Sequence, residues 1–151
     1  MIRRNAFKFY SGQSMVEMLI ALGIAVLIIV ALVQSIVTTV KNSQFAKNQT
    51  LATRFGQEGI EKIRAQRDIL GWMAFYATYN GKTLCVGSGG SSNWSDKPPT
   101  GCSVNIQNFF TREVAFTDVG GGNQLYVVVT TFWTDNNVTH KSEQRTYLSK
   151  W

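Results

Sequence analysis

The sequence has very few residues of the kinds that build catalytic and metal sites. Among its 151 residues there are one histidine, two cysteines and nine acidic residues. The histidine, His140, stands alone near the C-terminus, where an ordinary surface residue is expected. No metal-ligand spacing, glycine-rich phosphate loop or nucleophile elbow is present. We therefore expect a protein that is not an enzyme and that uses no cofactor and no metal.

Charge is also scarce, and it is unevenly distributed. Charged residues make up 16% of the chain, and the net charge is +6. Residues 1–12 and residues 41–70 each contribute +3, whereas residues 71–151 contribute only +1. A nucleic-acid-binding domain usually carries its basic excess on the surface that reads the nucleic acid. The nearly neutral C-terminal part therefore argues against a nucleic-acid partner.

One long apolar run dominates the N-terminal part. Between Met15 and Val33 the only charged residue is Glu17. A helix of this length covers about 28 Å, the thickness of a bilayer's hydrocarbon core. A secretory signal has a shorter apolar core that precedes its cleavage site, so we expect this run to be retained as a membrane helix. A carboxylate costs on the order of 2.5–3.5 kcal/mol near the bilayer centre; Glu17 either reaches the interface or serves a specific partner.

A short basic leader precedes this run and ends at Gly12, five residues before Glu17. This arrangement resembles the prepilin motif of type IV pilins and of the pseudopilins of type II secretion. The resemblance implies that a prepilin peptidase cuts between Gly12 and Gln13, that Gln13 is then N-methylated, and that Glu17 acts in assembly. It also implies a bacterial subunit of the cytoplasmic membrane, with its C-terminus outside, that ends in an extracellular or periplasmic filament. Its partners would be the peptidase, other pilin subunits and the assembly platform in the inner membrane.

Three functions remain open. The first is a structural subunit of a type IV pilus-like filament. The second is a pseudopilin of a type II secretion or DNA-uptake machine, which differs in where the filament goes. The third belongs to another class: a single-pass, membrane-anchored extracytoplasmic binding domain that never polymerises. Within about fifteen residues of each end of the predicted membrane helix, three basic residues precede it and three follow it, so charge alone does not orient it.

The two cysteines, Cys85 and Cys102, raise the question of a disulfide. A bridge between them would be stable in an oxidising compartment and would stabilise the fold by about 3 kcal/mol in the chain-entropy model. The alternative is a pair of reduced thiols, which a cytoplasmic domain would favour. Cysteine number alone favours the bridge.

The predicted fold is α+β, with a long N-terminal helix packed on a small C-terminal antiparallel sheet. We divide the chain into a leader at 1–12, a transmembrane and assembly helix at 13–40, an amphipathic helix at 41–70 and a β-sheet head domain at 71–151. Two glycines in the amphipathic segment each cost about 1 kcal/mol in helix propensity, which makes sense where another element packs closely. At helical spacing, one face of this segment carries Phe45, Ala52, Phe55, Gly56, Gly59, Ile60 and Ile63.

The head is predicted to contain three main strands and a short one. Residues 110–117, 125–134 and 138–148 are the main strands, and residues 82–86 form the short strand. Residues 70–79 are aromatic and fit either a helix end or the packed start of the head, while residues 87–101 are expected to be a loop. Both faces of 125–134 are largely apolar, which predicts a strand buried between the helix and another layer. Gly120–Asn123 and Asp135–Asn137 predict tight turns.

Overall fold

The computed structural model describes residues 11–90, 94–103 and 106–150. Two helices and five strands follow one another along the chain, and the strands form one antiparallel sheet in the order β2-β1-β3-β4-β5. This α+β arrangement confirms the predicted fold class. The elements are α1 (Ser11–Leu70), α2 (Trp72–Tyr79), β1 (Thr83–Val86), β2 (Trp94–Asp96), β3 (Phe110–Asp118), β4 (Gln124–Asp135) and β5 (Val138–Ser149).

The chain divides into two compact units, of which the first ends at Gln44 and the second begins at Phe45. The described part of the first unit is helical throughout. The second unit, which we call the head, contains the remaining helix residues of α1, the short helix α2 and the whole sheet. The predicted leader, residues 1–12, lies outside the described residues except for its last two positions.

In the head, residues 45–70 of α1 pack on one face of the sheet with the predicted apolar stripe. Ala52, Phe55 and Ile63 are buried, and so are both glycines of the stripe. A Cβ added at Gly59 would lie 2.9 Å from Cδ of Arg112 and 3.0 Å from Cγ1 of Val129. The glycines therefore allow α1 to approach the sheet closely, and this packing offsets their low helix propensity.

The core of the head consists of two apolar clusters. The larger one lies between α1, α2 and the sheet. The smaller one is built from five side chains near the beginning of β3 and the end of β4. The larger cluster contains Ile63, Trp72, Phe75, Leu84, Val86, Val114, Phe116, Leu125, Val127, Val129 and Leu148, and the smaller contains Ala52, Phe55, Ile106, Phe110 and Trp133.

A row of polar residues separates the two clusters on the inner face of the sheet. Arg112 on β3, Thr131 on β4 and Ser142 on β5 are buried at successive cross-strand positions. The Ser142 hydroxyl lies 3.1 Å from that of Thr53 on α1. We call these three sheet residues the polar row. Because β3 and β4 alternate in burial, their inner apolar residues could be predicted from period-2 patterning, but the polar row could not.

The structure corrects two expectations about the sheet. First, the predicted loop at 87–101 contains β2, which pairs with β1 so that Cys85 lies opposite Ser95; a strand of three residues is too short to carry a periodic signal. Second, no other layer covers the outer face of β4 in the described part of the chain. Its outer residues Tyr126, Val128 and Phe132 are half-buried by their neighbours on the same face.

The aromatic stretch at 70–79 and the turn after Asp135 both have a defined structure. The aromatic stretch at 70–79 forms α2, a separate helix that begins after Gly71, whose φ of 73° is in the left-handed region. The β4–β5 turn confirms the predicted hairpin: Asp135 pairs with Val138, and Asn136 and Asn137 have φ values of 48° and 62°. These angles match a two-residue turn with both central residues left-handed.

Candidate assembly helix and the polar contacts of the head

The apolar surface of α1 in the first unit is the leading candidate site. The part of α1 that begins at Met15 contains an 18-residue window long and apolar enough to cross a membrane, and none of that window is buried. Leu27 is 71% exposed and Met18 is 73% exposed. A soluble protein seldom leaves so continuous an apolar surface uncovered, so these side chains require a cover from outside the described chain.

The predicted site residues of this segment occupy the beginning of α1. The backbone of Gly12 and Gln13 is helical, but their side chains lie outside the described part. Glu17 is exposed on the helix and is the only acidic residue between Ser11 and Gln57. Among the described residues, no hydrogen bond or ion pair involves Glu17.

The cysteine prediction is confirmed. Cys85 on β1 and Cys102 form a disulfide, with 5.6 Å between their Cα atoms. Cys85 is 8% exposed and lies opposite Glu113 on β3 and Ser95 on β2. The bridge therefore joins the segment that follows β2 to β1.

His140 was expected to be an ordinary surface residue, and this expectation was wrong. The imidazole is half-buried on the inner side of β5. Its ring stacks on Trp133, with 5.4 Å between centroids, and meets the edge of Phe45 at 5.1 Å. His140 thus extends the smaller apolar cluster toward Phe45, a role that depends on cross-strand register and has no local sequence signal.

Arg112 is a structurally central residue that the sequence did not reveal. Its side chain is fully buried in the polar row. The guanidinium donates to the carbonyl oxygens of Val86 at 2.9 Å, Gly87 at 2.6 Å and Phe55 at 2.6 Å. Desolvation lowers the pKa of Arg112, while the charge of Glu58, 3.8 Å away, opposes that effect. Arg112 therefore connects α1, β1 and β3 through three charge-assisted hydrogen bonds.

Lys62 adds a second cation beside this contact. Its ammonium group pairs with the carboxylate of Glu58, one helical turn earlier, at 3.0 Å. It also donates to the carbonyl oxygens of Gly87 at 3.3 Å and Gly89 at 3.2 Å, and to that of Ser88 between them. Lys62 and Arg112 together hold the backbone that follows β1 against α1.

Asp118, the last residue of β3, stabilises the β3–β4 turn. Its carboxylate accepts hydrogen bonds from the backbone N–H groups of Gly120 at 3.0 Å and Gly122 at 3.2 Å. The Tyr76 hydroxyl donates to the same carboxylate at 3.0 Å. The two backbone bonds lower the pKa of Asp118, whereas desolvation first and the Asp118 carboxylate second raise the pKa of Tyr76. Trp72 of α2 completes the contact by donating from Nε1 to the carbonyl oxygen of Gly122 at 2.7 Å.

These polar contacts share one feature, which is that each fixes part of the backbone. Arg112, Lys62 and Asp118 all hold backbone groups, and the described residues contain no group of three or more His, Cys, Asp and Glu side chains placed to hold a metal ion. No family model, curated protein or solved structure matches this chain.

Proposed function

We propose that this chain is a pilin-like structural subunit that is cut between Gly12 and Gln13 and assembles into a type IV pilus-like filament. The observation that carries the proposal is the uncovered apolar surface of α1, which holds Glu17 as its only acid and follows a short basic leader. The disulfide supports a head outside the cytoplasm, because disulfides persist in oxidising compartments. The membrane holds the precursor, and other copies replace lipid around the same helix in the filament.

Glu17 has a defined role in this proposal. Cleavage before Gln13 creates an α-amino group that remains basic after monomethylation. Within a bundle of apolar helices an unpaired charge costs several kcal/mol of desolvation, to order of magnitude. The amino group of a neighbouring Gln13 would pair with Glu17 and set the axial position of each incoming subunit. The helix macrodipole adds about 0.3–1 kcal/mol for an acid near its N-terminus.

A second candidate is the membrane-anchored binding domain. A groove of about 400 Å³ lies beside Lys62 in the head and favours this candidate. Its walls are Ala65, Gln66 and Ile69 of α1 on one side and Ser88–Gly90 with Trp94 on the other. An anchored binding domain would use this groove without cleavage at Gly12 and without a filament. A pseudopilin, by contrast, would share the cleavage and differ in the length and location of its filament.

The mass of the mature N-terminus tests the proposal. Membranes from cells that express the chain with its assembly machinery should contain a protein that begins at Gln13, with or without one added methyl group. Gly12→Val should leave uncut precursor, because the residue before the scissile bond gains a branched side chain. Gly23→Val is the matched control, since an added Cβ at Gly23 meets no atom within 4 Å, and it should be processed normally. Mature protein from Gly12→Val, or a wild-type chain that keeps its leader, would contradict the proposal.

A further inference from the structure

One end of the head exposes three large apolar side chains. Phe45 on α1 is 41% exposed, Phe109 just before β3 is 42% exposed, and Val138 at the start of β5 is 54% exposed. We call these three residues the head rim. All three flank the smaller apolar cluster. The Phe45 ring lies 6.1 Å from that of Trp133, and the Phe109 ring lies 4.9 Å from that of Phe110.

Register places Val138 at the same end. It pairs with Asp135, two positions beyond Trp133 on β4. Phe110 pairs with Trp133 across β3 and β4. The head rim therefore lies at the end of the sheet where β3 begins and β4 ends.

The exposure of Phe109 is fixed by a tight turn. Gln107 and Asn108 have φ values of 50° and 55°, a conformation that residues with a side chain seldom adopt. The N–H groups of Phe109 and Phe110 both donate to the carbonyl oxygen of Ile106, at 3.1 Å and 3.0 Å. Ile106 and Phe110 on either side of the turn are each only 2% exposed. The turn is thus anchored in the core while it holds Phe109 in solvent.

Chain length indicates what covers the head rim. Val40 is the last residue of the predicted membrane helix at 13–40 and is exposed and apolar, and Phe45 follows five residues later. Five residues cannot extend more than about 18 Å in any conformation. The headgroup layer on each side of a bilayer is roughly 5–8 Å thick. If residues 15–40 cross a bilayer, Phe45 lies in or next to the interface.

The part of α1 next to the head rim has a basic excess, which suits contact with lipid headgroups. Residues 41–57 contain Lys41, Lys47 and Arg54 and no acidic residue. Lys141, three residues after Val138 on β5, is 65% exposed but pairs with Glu143 at 3.8 Å, and Asp135 lies opposite Val138, so the basic excess comes from α1 alone. Long basic side chains near the ends of membrane helices reach to the interface, and interfacial elements bury Phe side chains at the boundary between headgroups and acyl chains.

We propose that the head rim rests in the headgroup layer of a phospholipid bilayer while the chain is held in the membrane. This inference rests on the membrane-held precursor of the proposed function. Contact with lipid gives the exposed Phe45, Phe109 and Val138 an apolar cover before assembly.

The other end of the head provides a matched comparison. Ile69 at the end of α1 is 77% exposed and Met73 on α2 is 74% exposed. Trp72, next to Met73, bonds to the β3–β4 turn, so Met73 lies near the end of β3 opposite to Phe109. The nine residues of β3 separate these ends by about 26 Å. Met73 is as apolar and more exposed than Phe109, yet it should remain in water.

The test uses the full chain in lipid nanodiscs of phosphatidylethanolamine and phosphatidylglycerol. Single cysteines at Phe109→Cys, Met73→Cys and Leu27→Cys are spin-labelled; Cys85 and Cys102 are bridged and do not react. Collision rates with oxygen, which concentrates in lipid, and with a water-soluble nickel chelate then report the depth of each label. We expect the ratio of oxygen to nickel collisions at position 109 to exceed that at position 73 several-fold, with position 27 highest.

The three labels separate the possible outcomes. Equal ratios at 109 and 73, with a high ratio at 27, would overturn the head-rim proposal while leaving the membrane-held helix intact. A low ratio at 27 would remove the membrane-held precursor itself and the inference with it. A label at 109 that is shielded from both reagents would mean that protein covers the head rim, which also contradicts the proposal. Unchanged tryptophan fluorescence of each variant verifies that the head is folded.

Discussion

The two parts of α1 are both helical, but the earlier part exposes its apolar side chains and the later part buries them. Large apolar side chains between Met15 and Val40 are at least 45% exposed, whereas Ala52 and Ile63 further along the helix are fully buried. In the later part, glycines and an apolar stripe fit one partner, the sheet. In the earlier part the apolar residues cover all sides of the helix, so no single face of one small domain could bury them. A helix apolar all round is suited to lipid or to a bundle of like helices.

The largest effect on the stability of the head should come from truncating a buried side chain in the later part of α1. Truncating an exposed side chain in the earlier part should have no effect. Phe55→Ala removes a ring that is 7% exposed and lies 5.1 Å from the Phe110 ring. We expect it to reduce the free energy of unfolding of the head by about 4 kcal/mol. Leu27→Ala, at a position that is 71% exposed, should leave it unchanged.

Denaturant unfolding of the detergent-solubilised chain, followed by tryptophan fluorescence, measures this difference. All four tryptophans lie beyond residue 71, so the signal reports the head alone. Equal destabilisation by the two substitutions would mean that the earlier part of α1 stabilises the head as much as the later part does.

The next effect concerns the polar contact between α1 and the sheet. Arg112→Leu should destabilise the head by about 3 kcal/mol, because the carbonyl oxygens of Phe55 and Val86 lose the guanidinium donor and that of Gly87 keeps only Lys62. Arg145→Leu is the control, because Arg145 is exposed and pairs with Glu143 at the surface. It should change stability little. The same unfolding assay compares them; two similar values would show that the burial of Arg112 contributes nothing specific.

The smallest effect should appear in the pH dependence of the head. Because the folded state lowers the pKa of Asp118, the unfolded state binds its proton more readily. This contribution to stability is therefore fully present above the unfolded value of about 3.9 and is lost as the pH falls through the lower folded value. Thermal unfolding between pH 6 and pH 2.5 should show a shallower loss of stability for Asp118→Asn than for the wild type. Parallel curves would mean that the turn does not hold the carboxylate in its ionised form.

Much of the head could be predicted because its inner faces follow simple periods. The stripe of Phe55, Gly59 and Ile63 required only helical spacing, and the burial of β3 and β4 required only alternation. Arg112 could not be found in this way, because its carbonyl partners lie 25 to 57 residues away in sequence. A basic residue on a strand carries no local sign of burial.

The outer face of β4 shows the converse error. Tyr126, Val128 and Phe132 suggested a second covering layer, but apolar side chains on an open sheet face are shielded in part by one another and by long neighbours on adjacent strands. The candidate cleavage residues Gly12 and Gln13 and the candidate assembly residue Glu17 are implied by the resemblance to the prepilin motif, which no physical argument from the chain alone replaces. Their chemistry involves a peptidase and other subunits and remains a prediction.

The close approach of α1 to the sheet has a mechanical consequence. A pull along α1 loads its contact with the sheet in shear, and yielding requires the helix to slide by about one turn, roughly 5.4 Å. Such a slide would carry Ile63 or Phe55 into the place of Gly59, where even a Cβ atom would lie 2.9 Å from Arg112. It would also separate the Phe55 carbonyl from the guanidinium that holds it. The close fit at Gly59 therefore opposes sliding of α1 on the sheet. We expect a head under tension to resist until this fit is broken and then to unfold abruptly.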